Sequence, residues 1–219
     1  ELGFEEIEKR RGYDLGYVTH YIIEKKINPL CWYEVEGDVL DNSLDFGEIG
    51  KHLNVDNCLR LKSCKKLDKK DFVPRILAYD IETDEFKIGE GEILMISLVG
   101  ENFRKVITWK GKGAGDLDYV EYVKDEAELL EKFVDSVREF SPDFFVGYFS
   151  DGFDLPYLKA RANKLGVRLS LGIDKSQPKF SRGRMMTGKI NGIVHVDLLR
   201  FIQTAYAQYL KSETLSLNE

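Results

Sequence analysis

Residues 77–85 read LAYDIETDE, an apolar run that ends in two acidic residues, Asp80 and Glu82. The run RILAY at residues 75–79 is typical of a buried β-strand. Because side chains two residues apart in a strand point to the same face, the two carboxylates are expected to lie side by side. Like charges at that spacing raise each other's pKa. The two acids are therefore either solvated at a strand end or ligands of a metal ion.

The composition is that of a folded globular chain. Its 219 residues are 43% hydrophobic and 32% charged, which is enough for a core and for one or two domains. No apolar run approaches the roughly 20 residues of a membrane helix, so a membrane partner is not expected. Three cysteines without CxxC spacing argue against a disulfide framework or a zinc site and favour a reducing cytoplasm.

The net charge of −6 argues against a general nucleic-acid coat protein, because phosphate binding needs a basic surface. It leaves room for a nucleic-acid enzyme with a local basic patch. Residues 175–189, KSQPKFSRGRMMTGK, contain no acid, and their basic residues are Lys175, Lys179, Arg182, Arg184 and Lys189. A solvated loop and a DNA-facing surface fit this charge pattern equally well.

Pro74 separates a mixed N-terminal region, residues 1–74, from a sharper pattern at residues 75–219. In the first region we predict a short helix at 16–26 and strands at 32–38 and 59–67. In the second, the patterns predict strands at 75–83, 92–100, 105–110, 143–149 and 192–197, and helices at 125–140, 155–166 and 198–210. The first three of these strands should form an antiparallel meander. The fold class is α/β, a mixed sheet with helices on its faces.

Asp154 follows the strand at 143–149 and precedes a helix. Ligands of open α/β sheets gather at the carboxyl ends of strands, so Asp80, Glu82 and Asp154 meet if the two strands are neighbours. Three carboxylates suit Mg²⁺ or Mn²⁺. The alternative is that Asp80 and Glu82 are solvated and that Asp154 caps its helix.

FVGYFSDGFDLPYLKARA, with YDIETDE upstream and INGIVHVDLLRFI downstream, resembles the 3′–5′ proofreading exonuclease domain of a family B DNA polymerase of the replicative, archaeal-like type. YDIET resembles the first exonuclease motif of that family, and SDGFDLPYL resembles the second. QPKFSR and GKINGIVHVDLLRFI resemble the segment after the second motif, which includes a β-hairpin in the family. GYDLGYVTHYIIEKKINPL is similar to the end of the family's N-terminal domain.

The resemblance implies a ribonuclease H-like fold and hydrolysis of DNA assisted by two Mg²⁺ or Mn²⁺ ions. It makes Asp80, Glu82 and Asp154 the catalytic metal ligands. Asp80 would bridge both ions, Glu82 would help to hold the ion that activates water, and Asp154 would serve the second ion. The resemblance also divides the chain into part of an N-terminal domain, residues 1–74, and an exonuclease domain, residues 75–219.

The expected partners are DNA, as a single-stranded 3′ end or a primer–template, and the palm, fingers and thumb of a polymerase. The candidate DNA-binding residues are Phe149, Phe153, Lys179, Arg182 and Arg184. A cytoplasmic, nucleoid-associated location follows from the same resemblance.

The sequence departs from the family pattern in two places. Phe149 stands where the family usually has Asn, and a phenyl ring can stack on a base but cannot supply amide hydrogen bonds. The family's third motif, a Tyr with an Asp four residues later, is expected beyond residue 219, and the resemblance keeps Asp197 outside the metal centre. We therefore expect the fragment to be weakened as an exonuclease. The alternative is a non-catalytic DNA-binding or scaffolding module, and a ribonuclease is a third, weaker hypothesis.

Overall fold

The structure, a computed structural model, describes residues 15–40, 52–68, 72–111, 117–182, 186–206, 209 and 215. The chain forms two compact units. One comprises Glu1–Asp38 and Arg60–Val73, and the other comprises Val39–Leu59 and Pro74–Glu219. The division at residue 74 into two domains of a polymerase stays a prediction.

The smaller unit contains the elements predicted for it. Helix α1 spans Tyr17–Glu24, and strands β1 (Tyr33–Val39) and β2 (Leu59–Lys66) pair in a two-stranded sheet. The rings of Trp32 and Phe72 meet edge to face with their centroids 6.2 Å apart. Both strands are largely exposed, so the unit has little apolar burial of its own among the described residues.

The larger unit is built on a six-stranded mixed sheet in the order β10-β7-β3-β4-β5-β6. Its strands are β3 (Ile76–Thr83), β4 (Ile93–Gly100), β5 (Phe103–Thr108), β6 (Val120–Tyr122), β7 (Phe144–Gly147) and β10 (Val194–Asp197). The predicted antiparallel meander of β3, β4 and β5 is confirmed. Strand β6, which pairs in parallel with β5, was not predicted, because three residues are too few to show an alternating pattern.

Three helices accompany this sheet: α2 (Glu126–Phe140), α3 (Asp154–Leu165) and α4 (Leu198–Ala205). The Asp125 side chain caps α2 by accepting a hydrogen bond from the Glu128 amide at 2.9 Å, and Gly166 ends α3 with φ of 71°. Helix α4 begins where predicted, but its described part ends at Ala205, and residues 207, 208 and 210 lie outside the described residues. In the described part of the chain, the helices are all too short or too polar to cross a membrane.

The segment between α3 and β10 carries a β-hairpin of strands β8 (Lys179–Arg182) and β9 (Met186–Lys189). This agrees with the hairpin expected from the family resemblance. The Lys159 ammonium on α3 anchors it, since it donates a 2.9 Å hydrogen bond to the Pro178 carbonyl and lies 4.9 Å from the centre of the Phe180 ring. The hairpin is therefore attached to the helix that begins with Asp154.

Strand β3 separates apolar from acidic side chains by strict alternation. Leu77, Tyr79 and Ile81 are buried in the core, whereas Asp80 and Glu82 are exposed on the other face. The Tyr79 ring stacks on the Phe145 ring of β7 with a centroid distance of 4.0 Å and an angle of 3° between the planes. The core thus fixes which face of β3 presents the acids.

A buried ion pair joins α2, α3 and the sheet. The Arg161 guanidinium binds both oxygens of the Glu126 carboxylate, with Nε 2.7 Å from Oε1, and each side chain is only 5% exposed. Glu126 Oε1 also accepts a hydrogen bond from the Ile93 amide at 2.9 Å. If either partner were removed, the other would remain charged and buried at a high cost in free energy. The pair therefore holds α2, α3 and the sheet together.

We expect Arg161→Met to lower the free energy of unfolding by about 3–5 kcal/mol, because the Glu126 carboxylate stays buried without its cation. Urea titration of the purified chain measures this loss. Lys87→Met, which breaks the exposed pair between Lys87 and Glu90, is the control and should cost less than about 1 kcal/mol. A cost for Arg161→Met as small as that of the control would contradict the prediction.

Candidate active site

The pairing of β3 with β7 brings the first acidic motif beside the second. The strands run in parallel, with Leu77 opposite Phe145 and Ala78 opposite Val146. Strand β7 ends at Gly147, so the loop at residues 148–153 leaves the sheet next to Asp80. The expectation that these two strands are neighbours is therefore confirmed, and Asp154 follows directly after the loop.

Asp154 is the first residue of α3 and is only 4% exposed. The residue in the N-cap position is Phe153, and no side chain caps this helix end. The structure therefore does not support the alternative that Asp154 caps this helix. Its carboxylate instead feels the charges of Asp80 and Asp197.

Burial and, to a smaller extent, the nearby charge of Asp80 raise the pKa of the Asp154 carboxyl to about 7. The Asp197 carboxylate adds a smaller increase, and the Ile81 amide opposes it by hydrogen bonding. The pKa of Asp80 is also raised by burial and is partly lowered by the same Ile81 amide. The Ile81 amide thus lowers the pKa of both carboxyls, and the charge of Asp80 opposes the ionisation of Asp154.

Glu82 lies on the same exposed face of β3 as Asp80. The register with β4 shifts between Glu82 and Thr83, since Glu82 lies opposite Met95 and Thr83 lies opposite Ile93. Such a bulge re-aims side chains at a strand end. Among the described residues, the structure forms no cluster of three or more Asp, Glu, His or Cys side chains that could hold a metal ion. Asp80 is near enough for its charge to raise the pKa of Asp154, and the three-acid ligand set stays a prediction.

The carboxylate of Asp197 organises the loop between β7 and α3. Its Oδ1 accepts a hydrogen bond from the Phe149 amide at 3.0 Å, and its Oδ2 accepts one from the Asp151 amide at 3.0 Å. Oδ1 also accepts from the Arg200 amide at 3.3 Å, which caps α4. Asp197 is 7% exposed, so these bonds satisfy a buried charge. Its role in this structure is to hold the loop that presents Asp154.

A buried polar network lies beneath this loop. The Nε2 atom of His195 is 3.1 Å from Ser150 Oγ and 3.2 Å from the Tyr79 hydroxyl, and its Nδ1 atom is 3.3 Å from Asp151 Oδ1. The order Ser, His, Asp is that of a hydrolase triad, but Ser150 is fully buried and cannot reach a substrate. Burial lowers the pKa of His195, which favours the neutral ring. The network is therefore structural.

Asp151 extends the network to the hairpin and to α4. It accepts hydrogen bonds from the Gly188 amide at 2.7 Å and from Arg200 Nη1 at 2.7 Å. Arg200 Nη1 also donates to the Met186 carbonyl at 3.0 Å. Sequence reasoning missed these residues as a group. The available signal was a histidine and an aspartate inside otherwise apolar strands, but nothing local indicated their partners.

Phe149 has a left-handed backbone with φ of 57°, and its side chain is 52% exposed. A bulky residue in this region costs about 1–2 kcal/mol relative to glycine, and Asn tolerates it better. The ring lies against Gly152, where an added Cβ would meet Phe149 Cε2 at 2.4 Å. Phe153, in contrast, is half-buried, and its ring centroid lies 5.3 Å from that of Tyr157.

The predicted basic surface is partly described. Lys179 and Lys189 are exposed on the hairpin strands, and Lys175 is exposed before them. The backbone of Arg182 belongs to β8, whereas its side chain and the whole of Arg184 lie outside the described part of the structure. The assignment of Lys179, Arg182 and Arg184 to DNA binding stays a prediction.

In addition to the acids at the junction of β3 and β7, the chain matches a known protein family. Residues 8–218 match the family described as "DNA polymerase family B, exonuclease domain". The chain belongs to DNA polymerase family B. This confirms the family to which YDIET and SDGFDLPYL were assigned, and the mixed α/β fold agrees with it.

Two curated relatives in archaea are each similar to 59% of this family B chain. A DNA polymerase of Pyrococcus glycovorans is 46% identical over 135 residues, which are 59% of this chain and 17% of the relative. A DNA polymerase of Thermococcus litoralis is 47% identical over 137 residues, which are 59% of this chain and 8% of the relative. The chain therefore corresponds to less than a fifth of the length of either relative.

A solved structure shows the same likeness in three dimensions. The family B DNA polymerase from the hyperthermophilic archaeon Pyrobaculum calidifontis superimposes with a TM-score of 0.65 at 26% identity. The similarity covers 87% of this chain and 23% of that polymerase.

We expect Asp154→Asn to stabilise the metal-free protein at pH 8. An acid whose pKa is higher in the folded protein than in the unfolded chain lowers stability as the pH rises between the two values. For Asp154 that window runs from the ordinary value of 3.8 to about 7. The gain from Asn should be about 2.5 kcal/mol larger at pH 8 than at pH 5. Urea unfolding at both pH values in EDTA tests this, and an equal effect at both would contradict it.

Asp197→Ala should instead destabilise the protein, because it leaves two loop amides and the N-terminal end of α4 without their acceptor. A loss of about 2–3 kcal/mol in the free energy of unfolding is expected at pH 8. Asp135→Ala, an exposed acid on α2, serves as the control and should be nearly neutral. If Asp197→Ala were as mild as the control, the loop would not depend on this carboxylate.

Proposed function

We propose that this chain carries the 3′–5′ proofreading exonuclease of a DNA polymerase, which hydrolyses the terminal phosphodiester of a DNA strand with the aid of divalent cations. The observation that supports this most directly is the parallel pairing of β3 with β7, which sets Asp80 beside the loop that leads to Asp154. The Asp154 carboxylate is almost fully buried at this end of the sheet, and the charge of Asp80 acts on it. Such a pair is costly unless a cation lies between its members.

The donor set fits a hard divalent cation. Carboxylate oxygens are the ligands that Mg²⁺ and Mn²⁺ prefer. Asp80 and Asp154 would hold the ion, and Glu82, on the same face of β3 as Asp80, would complete its ligands from the protein. When bound, such ions lower the pKa of a water molecule and neutralise charge on the phosphate under attack.

The surrounding residues have their own tasks in this proposal. The Ile81 amide stabilises the ionised form of both carboxylates, which is the form that binds a cation. Asp197 keeps the loop before Asp154 in place. Exposed lysines such as Lys179 attract the phosphates of the strand toward the hairpin side of the site. A ribonuclease H-like fold is part of the proposal.

A second candidate is a DNA-binding module that does not cleave. It is favoured by Phe149 in the place of the family's usual Asn and by the lack of a three-ligand cluster in the part of the chain that the structure describes. The two candidates predict the same fold and the same DNA partner. They differ only in whether the protein shortens a bound DNA strand.

The deciding experiment follows a 5′-labelled single-stranded DNA in the presence of Mg²⁺ or Mn²⁺. We expect stepwise shortening from the 3′ end, and a loss of at least about a hundredfold in rate for Asp80→Ala and for Asp154→Ala, because each removes charge that holds the ion. Asp135→Ala is the matched control and should keep the rate of the unmodified chain.

Each other outcome has a clear meaning. Shortening that survives Asp80→Ala would show a contaminating nuclease or another site. Binding of DNA without shortening would favour the non-catalytic module. Preference for an RNA strand of the same sequence would favour a ribonuclease.

A further inference from the structure

The β8–β9 hairpin packs against the chain segment that contains Asp154. The Gly188 amide of β9 donates a 2.7 Å hydrogen bond to the Asp151 carboxylate, in the loop just before Asp154. A β-carbon at position 188 would overlap the Leu155 side chain, so the hairpin backbone lies directly on the residue that follows Asp154. Asp151 is 5% exposed and Leu155 is fully buried. The hairpin therefore contacts the chain on both sides of the candidate metal ligand.

A further contact attaches the hairpin to the same helix at a greater distance from the acids. The Lys159 ammonium donates to the Pro178 carbonyl at 2.9 Å and lies 4.9 Å from the centre of the Phe180 ring. Lys159 follows Asp154 by more than one helical turn. This contact can therefore be weakened without changing a residue of the candidate site.

Asp151 also connects the hairpin to α4. Arg200 Nη1 donates to Asp151 Oδ2 at 2.7 Å. The same nitrogen donates to the Met186 carbonyl at 3.0 Å and to Thr187 Oγ1 at 2.9 Å, both on β9. Because the Asp151 carboxylate is buried, movement of the hairpin away from it would leave a charge with fewer donors in a place with little water. The hairpin and the loop before Asp154 therefore hold each other in place.

A divalent cation is sensitive to the position of its ligands. Mg²⁺ demands near-octahedral oxygen ligands at about 2.0–2.1 Å, so a small displacement of one carboxylate weakens its site. Asp154 is the first residue of α3, and a shift of that helix end moves its carboxylate. The hairpin contacts at Asp151 and Leu155 restrain this helix end from both sides. An ion held by Asp80 and Asp154 should therefore bind more tightly when the hairpin makes these contacts.

We propose that docking of the β8–β9 hairpin on α3 controls the cation affinity of the site at Asp80 and Asp154, with Asp151 as the positioning residue that couples the two. The inference rests on the proposed function for the identity of the cation ligands. Coupling between two binding events is reciprocal, so a bound cation favours the docked hairpin by the same factor. A partner that draws the hairpin away from α3 would thereby release the ion and stop hydrolysis.

The first measurement is the affinity of the purified chain for Mn²⁺, followed by the electron paramagnetic resonance signal of the free ion. Lys159→Met loosens the hairpin at its contact farther along α3 and should weaken Mn²⁺ binding about fivefold. Lys159→Arg keeps a donor and a cation over the Phe180 ring, so it should retain the original affinity. Lys164→Met removes an exposed lysine from the same helix and is the matched control, which should leave the affinity unchanged.

Gly188→Ala is the stronger variant, because its methyl group displaces the hairpin from Leu155. It should weaken Mn²⁺ binding by at least about tenfold. Asp80→Ala identifies the ion to be followed, since the ion lost in that variant is the one at the acids. Urea unfolding shows whether each variant folds, and Lys159→Met, which alters no core residue, decides the question if Gly188→Ala does not.

The reciprocal effect is measured by hydrogen exchange at the Gly188 amide, which is bonded to Asp151 only when the hairpin is docked. Saturating Mg²⁺ should slow this exchange by a factor similar to the loss of affinity in Gly188→Ala. The Val123 amide, which donates to the Thr108 carbonyl at the far edge of the sheet, is the control and should exchange at the same rate with and without Mg²⁺. In Asp80→Ala the effect of Mg²⁺ on Gly188 should disappear.

The outcomes separate this inference from the proposed function. Equal Mn²⁺ affinity in the unmodified chain, Lys159→Met and Gly188→Ala would overturn the coupling and leave the proposed hydrolysis intact. Exchange at the Gly188 amide that does not respond to Mg²⁺ would have the same meaning. A chain without any ion that is lost in Asp80→Ala would overturn the proposed function and this inference together.

Discussion

The Asp197 carboxylate is the constraint on which the site depends. It ends β10, caps α4 and accepts the amides of Phe149 and Asp151, so one side chain sets the path of the chain between β7 and α3. That path determines where Asp154 enters α3 and which way the Phe149 ring points. Because the acceptor is a buried charge, any other conformation of the loop would leave it unsatisfied at a cost greater than that of a neutral hydrogen bond. The loop is therefore held by electrostatics more than by apolar packing.

Two features of the segment between β7 and α3 are energetically unfavourable. Asp154 is buried among carboxylates, and Phe149 has a backbone conformation that suits Gly or Asn. The buried pair of Arg161 and Glu126, the stacked rings of Tyr79 and Phe145, and the network around His195 hold the elements that carry these residues. Strain concentrated at one edge of a well-packed sheet is typical of a site that gains its stability from a bound ligand.

The sequence predicted the parts of the structure that are governed by local patterns. The alternation in YDIET set the face of β3 that presents Asp80 and Glu82, and the stripe of apolar residues in α2 set its buried side. It did not predict β6, which has only three residues, or the bonds of Asp197, whose partners are 46 and 48 residues away. Contacts at such separation depend on the strand order, and a single sequence contains no periodic signal for them. The meeting of Asp80 with Asp154 was predicted only on condition that β3 and β7 are neighbours.

The contact between Phe149 and Gly152 has an evolutionary consequence. The phenyl ring occupies the space that any β-carbon at position 152 would need. As long as position 149 carries an aromatic residue in this orientation, glycine is the residue that fits at 152. A smaller side chain at 149 would release that restriction, and a larger residue could then be accepted three positions later. The two sites are therefore coupled, since a residue other than glycine at 152 would require the Phe149 ring to turn away from its present position.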